Sequence, residues 1–230
     1  MNQLNYIFIT ILAFFFLQSN AQTTNDRSNR KEDKNSKVYS SREAKKRFVW
    51  GGKFGVNRSN VYDEQGMDFV ASSKTGFAGG LFAAIPLGSL LGIQPEVLIS
   101  QKGFSGSGTI NNEGYTLTRT TTHLDIPLQL QLKPLRFFSI VGGIQYSYLL
   151  SQSDELSSGA NSLQQSQEFK NDNIRKNSLG AVTGFDINIR HIMLSGRVGC
   201  DMQANRGDGS SYTPRYKNVW LQGTVGYRIY

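Results

Sequence analysis

An unbroken alternation of aliphatic and polar residues runs from Thr121 to Lys133. Aliphatic side chains stand at every second position, and polar residues together with Pro127 stand between them. The aliphatic positions are Leu124, Ile126, Leu128, Leu130 and Leu132. Because neighbouring side chains point to opposite faces of a β-strand, this stretch predicts a strand with one aliphatic face and one polar face.

The alternation occurs eight times after residue 47, which predicts eight strands. Their apolar faces begin at Phe48, Phe77, Leu91, Leu124, Phe138, Leu179, Ile192 and Val219. Long polar connections are expected at 58–75, 103–115, 151–177 and 203–217, and short turns near Gly88-Ser89, Pro134-Leu135-Arg136 and Arg190-His191. Long connections at one end and short turns at the other are typical of an all-β transmembrane up-and-down barrel with antiparallel strands. Pro95 and Pro127 interrupt two strands, and local bulges would accommodate them.

The composition of the polar faces decides which face of this barrel points outward. A soluble lipocalin-like barrel is the alternative, with its apolar face inside and its polar face in water. The polar faces here are rich in Gly, Ser and Gln and carry few charges, four acidic and four basic. These predicted lumen charges are Lys53, Glu96, Lys102, Asp125, Asp186, Arg197, Asp201 and Arg228. Charges that leave water need partners of opposite sign, and aromatic residues at strand ends suit membrane interfaces, so we expect the apolar face to meet lipid.

The first 47 residues predict export followed by a linker. Residues 6–17 form an apolar run of about twelve residues, too short for a spanning helix but suited to a signal peptide over 1–21 that ends at Ser19-Asn20-Ala21. A short retained membrane anchor is the alternative. Residues 22–47 carry nine Lys and Arg against four Asp and Glu, which predicts a disordered basic periplasmic tail before a barrel over 48–230. Attraction of this tail to acidic polymers or lipid head groups is the other interpretation.

The candidate chemistry of the chain is sparse. His123 and His191 lack a second ligand at metal-binding spacing, so we interpret both as surface or loop residues. Cys200 shares an apolar strand face, which favours a small lipid-facing hydrophobe. Asp125 and Asp186 could form an acid/base pair, but structural ion pairing with the lumen bases is the favoured interpretation. We therefore predict no enzyme, no cofactor, no metal and no nucleic-acid partner.

Three motifs resemble the outer-membrane β-barrel domain of the PorT/porin-like family. They are Gly52-Lys53-Phe54-Gly55-Val56-Asn57, Gln94-Pro95-Glu96-Val97-Leu98 with Ser100-Gln101-Lys102-Gly103, and Leu124-Asp125-Ile126-Pro127-Leu128. The resemblance covers about residues 48–230. It implies an eight-stranded barrel inserted by the barrel-assembly machinery, with Tyr227, Ile229 and Tyr230 as the assembly signal at the end of the last strand.

These expectations place the mature chain in the outer membrane of a Gram-negative cell. An even strand number puts both termini on the short-turn side, the periplasm. The predicted function is that of a structural or interaction module with a side-chain-filled lumen, acting through long extracellular loops. Its partners would be outer-membrane lipid and an extracellular or periplasmic protein. A narrow small-molecule conduit, an outer-membrane enzyme and a PorT-like component of a protein-secretion apparatus are the alternatives.

Overall fold

Nine β-strands make up the regular structure in the computed structural model, which describes residues 47–65, 70–110, 113–158, 161–167, 175–205 and 215–230. They are β1 (Val49–Gln65), β2 (Val70–Pro86), β3 (Leu91–Ile110), β4 (Glu113–Leu132), β5 (Phe138–Ser158), β6 (Asn161–Gln167), β7 (Asn177–Ile189), β8 (Ile192–Asp201) and β9 (Arg215–Ile229). Among the described residues, no helix has the length and apolar character needed to cross a membrane.

Eight of these strands close into an antiparallel barrel. The sheet order is β4-β3-β2-β1-β9-β8-β7-β5-β6, and a further pairing of β4 with β5 completes the ring. β1 pairs with β9, so the first and last strands meet, as at Trp50 opposite Ile229. β6 stands outside the ring, because it pairs only with the outer part of β5, from Gln152 opposite Gln167 to Ser158 opposite Asn161. The eight-stranded barrel predicted from the alternation is confirmed.

The alternation along each strand separates an apolar outer face from a polar interior. Exposed apolar side chains form a belt on the outer wall, including Phe54, Leu81, Leu130, Ile144, Phe185 and Leu221. The intervening positions are buried and largely polar, including Lys53, Gln94, Gln129, Ser139, Asp186 and Gln222. This arrangement is the reverse of that in a soluble globular protein. The apolar belt avoids water only if it faces lipid.

Two of the long connections predicted from the sequence are wrong. Most of 58–75 and 103–115 continues the strands, because β1 extends to Gln65, β3 extends to Ile110 and β4 begins at Glu113. The connection predicted at 151–177 likewise contains the end of β5 and the whole of β6. These segments pair through backbone hydrogen bonds although neither face shows a regular apolar alternation, so the hydrophobic pattern does not reveal them.

The strand register differs from expectation at the two prolines. Pro95 lies opposite Leu128 and Pro127 lies opposite Gln145, with no register shift at either position. Register shifts occur instead in the outer half of the wall, between Tyr62 and Gln65, between Ser73 and Ala78, and between Thr122 and His123. The expected short turns are present, and Arg190 in the two-residue β7–β8 turn adopts a left-handed φ of 51°.

The signal peptide predicted over 1–21 and nearly all of the basic tail predicted over 22–47 lie outside the described residues. So does most of the connection predicted at 203–217, since residues 206–214 are not described. These assignments stay predictions.

Candidate functional site

A buried ion-pair network fills the barrel on the short-turn side. Lys53 Nζ contacts a carboxylate oxygen of Glu96. Arg197 Nη2 lies 2.7 Å from Asp186 Oδ1 and 3.4 Å from Glu96 Oε1, so one guanidinium serves two carboxylates. Gln94 Nε2 donates to both acids, at 2.9 Å to Glu96 and 3.2 Å to Asp186. Two bases and two acids therefore balance without access to water.

The register of the β7–β8 hairpin explains the central pair of this network. The two-residue turn sets Asp186 opposite Ser195, and Arg197 is the next residue along β8 on the same face. Asp186 pairs with Arg197, one of the predicted lumen bases. Gly184 leaves the room that the Arg197 side chain occupies, since a Cβ at residue 184 would stand 2.9 Å from Arg197 Cδ.

A second charge cluster lies around Asp125. Lys102 Nζ is 3.2 Å from Asp125 Oδ1, Ser147 donates to the same oxygen at 2.5 Å, and Ser100 donates to Oδ2. The ammonium group also lies 3.9 Å from the centre of the Trp220 ring. Asp125 and Asp186 thus belong to separate ion-pair networks, an arrangement that favours structural pairing over acid/base chemistry.

Aromatic side chains occupy the interior above this cluster. Phe104 and Tyr216 meet edge to face with ring centroids 5.1 Å apart, and Val61 joins them in a small buried core. Trp220 is 3% exposed and lies against Gly199, where a Cβ would come within 2.3 Å of its ring. Side chains therefore occupy the lumen at both the charged and the aromatic level.

A charged contact closes the outer side of this aromatic core. Arg119 binds Asp154 through two parallel hydrogen bonds of 2.7 Å, and its Nη1 donates to Tyr216 Oη at 3.1 Å. Burial alone would lower the pKa of the Arg119 guanidinium, but the neighbouring Tyr216 and Asp154 outweigh it and hold the pKa above its usual value. The contact joins β4, β5 and β9 at the level where β8 has ended.

Two of the eight predicted lumen charges have different surroundings from the rest. Asp201 is buried at the outer end of β8, where Asn218 Nδ2 donates to its Oδ2 at 2.6 Å. Arg228 is half-buried at the short-turn rim, with Nη1 3.4 Å from the Arg190 carbonyl and its guanidinium over the Tyr230 ring. Because Arg228 is near the end of β9, its long side chain reaches the rim and does not enter the network.

The interpretation of His123 as a surface or loop residue is wrong. It lies within β4, is 8% exposed and faces the interior, directly beyond the Lys102–Asp125 cluster. His191 is exposed in the β7–β8 turn, and Cys200 is half-buried on β8. The part of the chain that the structure describes contains no group of three or more His, Cys, Asp or Glu side chains that could hold a metal ion.

Two residues of the predicted assembly signal, Tyr227 and Ile229, lie at the end of β9, and Tyr230 follows the strand directly. Tyr227 and Tyr230 are exposed, and Ile229 lies opposite Trp50 across the β1–β9 seam. Tyr230 Oη donates to the Arg190 carbonyl at 2.7 Å, which ties the chain end to the neighbouring turn.

The outer aromatic core and the Arg119–Asp154 contact are not evident from the sequence pattern. The core residues and Asp154 lie in stretches assigned to connections, and Arg119 lies just before the predicted strand that begins at Thr121. Thr, Ser and Gly dominate there, and apolar spacing is absent. Trp220 was the one available signal, because it shares alternation with Gln222 and Thr224 and so belongs to the polar, inward face of β9.

Solved structures of bacterial barrels resemble this fold at low sequence identity. OprG from Pseudomonas aeruginosa aligns with 14% identity and a TM-score of 0.46, over 80% of this chain and 95% of OprG. Ail from Yersinia pestis aligns with 14% identity and a TM-score of 0.43, over 79% of this chain and 98% of Ail. Neisserial surface protein A aligns with 11% identity and a TM-score of 0.38, over 78% and 96%. At these values the matches assign no activity to this chain.

No curated protein sequence matches the chain. The family model described as outer membrane protein beta-barrel domain matches residues 20–199, which is more than half of the 230 residues. The apolar belt and the closed eight-stranded ring agree with an outer-membrane location. The chain belongs to the outer membrane protein beta-barrel domain family.

Proposed function

We propose that this outer-membrane barrel is a non-enzymatic interaction module that presents a rigid polar β-surface on the far side of the membrane from its short turns. The observation that carries the proposal is the length of β1 to β5 beyond the apolar belt. β3, for example, continues from Ile99 to Ile110, roughly 36 Å along the strand. We call the part of β1 to β5 beyond the apolar belt the extended wall. β8 ends at Asp201, close to the last belt residues, so the extended wall lies on one side of the barrel opening.

Buried packing and an ion pair stabilise the extended wall. Phe104, Tyr216 and Val61 form its core, and the Arg119–Asp154 contact ties β4 to β5. Its outward positions are polar, including Thr116, Thr118, Thr120, Ser153 and Glu155. Binding residues held on strands lose less conformational entropy on association than residues on loops do, so this face suits recognition of a polar partner surface.

The filled lumen supports this proposal over a small-molecule conduit. Eight strands enclose little more than the side chains that point inward. Here the Glu96–Arg197 network, the Lys102–Asp125 cluster and the Phe104–Tyr216 core follow one another along the axis. We propose that both termini lie in the periplasm, which would put the extended wall outside the cell. The PorT/porin-like resemblance and a role in secretion stay predictions from the motifs.

Site-specific photocrosslinking in intact cells tests the proposal. A benzophenone side chain at exposed Thr116 or Glu155 should crosslink to protein, because both positions lie on the outer face of the extended wall. The same group at Leu128, 52% exposed within the apolar belt, is the matched control and should crosslink only to lipid. Protein adducts at Leu128, or none at either wall position in properly assembled barrels, would contradict the proposal.

A further inference from the structure

The three short turns and the neighbouring ends of β1 and β9 carry basic side chains and, among the described residues, no Asp or Glu. Five Lys and Arg side chains lie at this rim of the barrel: Arg47, Lys133, Arg136, Arg190 and Arg228. None of the described Asp and Glu residues lies in the short turns. Glu96, Asp125 and Asp186 are buried in the lumen. The others lie in the parts of the strands far from the short turns: Asp63, Glu64, Glu113, Asp154, Glu155 and Asp201.

The same turns expose apolar side chains, so they do not resemble turns that meet only water. Leu87 and Leu90 flank the β2–β3 turn and are 61% and 49% exposed. Leu135 and Phe137, 50% and 55% exposed, flank Arg136 in the β4–β5 turn. Apolar residues beside cations are typical of segments that sit at the level of lipid head groups, with the cations near the phosphates.

The densest part of this rim lies where the β7–β8 turn meets the end of β9. The His191 ring stacks on Tyr227 at 5.5 Å and meets Tyr230 edge-on at 5.3 Å. The Arg228 guanidinium lies 5.2 Å from the centre of the Tyr230 ring. The Arg190 carbonyl accepts a hydrogen bond from Tyr230 Oη, which fixes this turn against the chain end.

We propose that this rim binds the head groups of anionic phospholipids, with Arg190, His191 and Arg228 around one phosphate and the rings of Tyr227 and Tyr230 at the interface. The phosphate supplies negative charge beside Arg190 and Arg228, since none of the described Asp and Glu residues lies in the short turns. The aromatic rings continue directly into the apolar belt, so the bound molecule is a membrane lipid with its chains along the barrel wall. This inference does not depend on the partner proposed for the extended wall.

The two tryptophans of the chain make the proposal measurable. Trp50 is 47% exposed on the outer wall, and it is separated from the β7–β8 turn by two strand spacings, roughly 10 Å. Trp220 is enclosed in the barrel, so lipid-borne quenchers report on Trp50. The full barrel is reconstituted in vesicles of dibrominated phosphatidylcholine, and unbrominated phosphatidylglycerol or phosphatidylcholine is then titrated in.

We expect phosphatidylglycerol to relieve the quenching of Trp50 at lower mole fraction than phosphatidylcholine does. The ratio of the two mole fractions that relieve the quenching equally should be about fivefold for each arginine that contacts the head group. The double variant Arg190→Gln with Arg228→Gln should lose most of this preference. Arg58→Gln, an exposed arginine on the same strand as Trp50 but roughly 26 Å away, is the matched control and should keep it.

Salt provides a test that does not depend on the folding of any variant. Screening by about 1 M salt should reduce the phosphatidylglycerol preference of the unmodified protein towards one. Equal relief by the two lipids at low salt would overturn the proposal, and so would loss of preference in Arg58→Gln alone. Relief by lipid A without relief by phosphatidylglycerol would overturn the assignment to a phospholipid.

Discussion

At the residue scale, Arg197 is the side chain on which the inner charge network depends. Its guanidinium contacts both Asp186 and Glu96, whereas the ion pair of Lys53 is with Glu96. Arg197→Met would leave the Asp186 carboxylate buried without a cation, so we expect a loss of about 3–5 kcal/mol in the free energy of unfolding. Urea titration of the folded barrel in vesicles, followed by its heat-dependent gel mobility, measures this loss.

The double variant Arg197→Met with Asp186→Asn is the control for that experiment. Removal of the second charge should recover much of the lost stability, because Asn needs no cation. An unchanged unfolding midpoint in Arg197→Met would contradict the role assigned to this arginine.

Alanine substitutions at two glycines test whether the surrounding residues hold the Trp220 ring in place. A Cβ at Gly199 would lie 2.3 Å from the Trp220 ring, whereas a Cβ at Gly223 would meet nothing within 4 Å. Lys102 covers the ring from another side, so the ring cannot shift freely. Gly199→Ala should therefore cost about 1–3 kcal/mol and change the emission of Trp220, while Gly223→Ala should do neither. Equal stability of the two variants would show that the ring is free to move.

At the element scale, the sequence predicts those strands whose two faces differ. Leu124 to Leu132 alternate with polar residues and place β4 within the belt, but the preceding Thr116 to Thr122 show no such contrast. The outer half of β4 pairs with β3 and β5 all the same, since backbone hydrogen bonding does not require apolar side chains. β6 was missed for the same reason.

Contacts inside the barrel also divide into those that the sequence predicts and those that it does not. Asp186 and Arg197 could be paired from the sequence because a two-residue turn fixes their register. Lys53 and Glu96 lie on β1 and β3, which are separated by β2, so their contact depends on barrel curvature that no local pattern contains. The placement of Arg228 at the rim likewise depends on how far β9 extends.

The last strand leads to a prediction about assembly. We expect deletion of Tyr230 to reduce the amount of assembled barrel more than it reduces the stability of the barrels that do assemble. The family resemblance implies that the terminal aromatic residue is read during insertion. Surface level is measured by protease accessibility in cells, and stability by urea titration of the assembled fraction.

Tyr230→Phe separates recognition from local bonding in that experiment. It keeps the aromatic ring and removes only the hydrogen bond from Tyr230 Oη to the Arg190 carbonyl. Normal assembly of Tyr230→Phe is expected. Normal surface levels of the chain that ends at Ile229 would contradict the assembly role.

At the scale of the whole molecule, charged and aromatic side chains obstruct the barrel axis at different levels. The ion-pair network around Arg197 and Glu96 crosses the lumen on the short-turn side, and the core of Phe104 and Tyr216 occupies the outer side. The barrel should therefore show no stable conductance steps in planar bilayers. Phe104→Ala with Tyr216→Ala should also remain silent, because it removes only the outer obstacle and leaves the charged network in place. Reproducible conductance steps from the unmodified protein would contradict the filled lumen and favour a conduit. Conductance steps from the double variant alone would show that the ion-pair network leaves a path for ions.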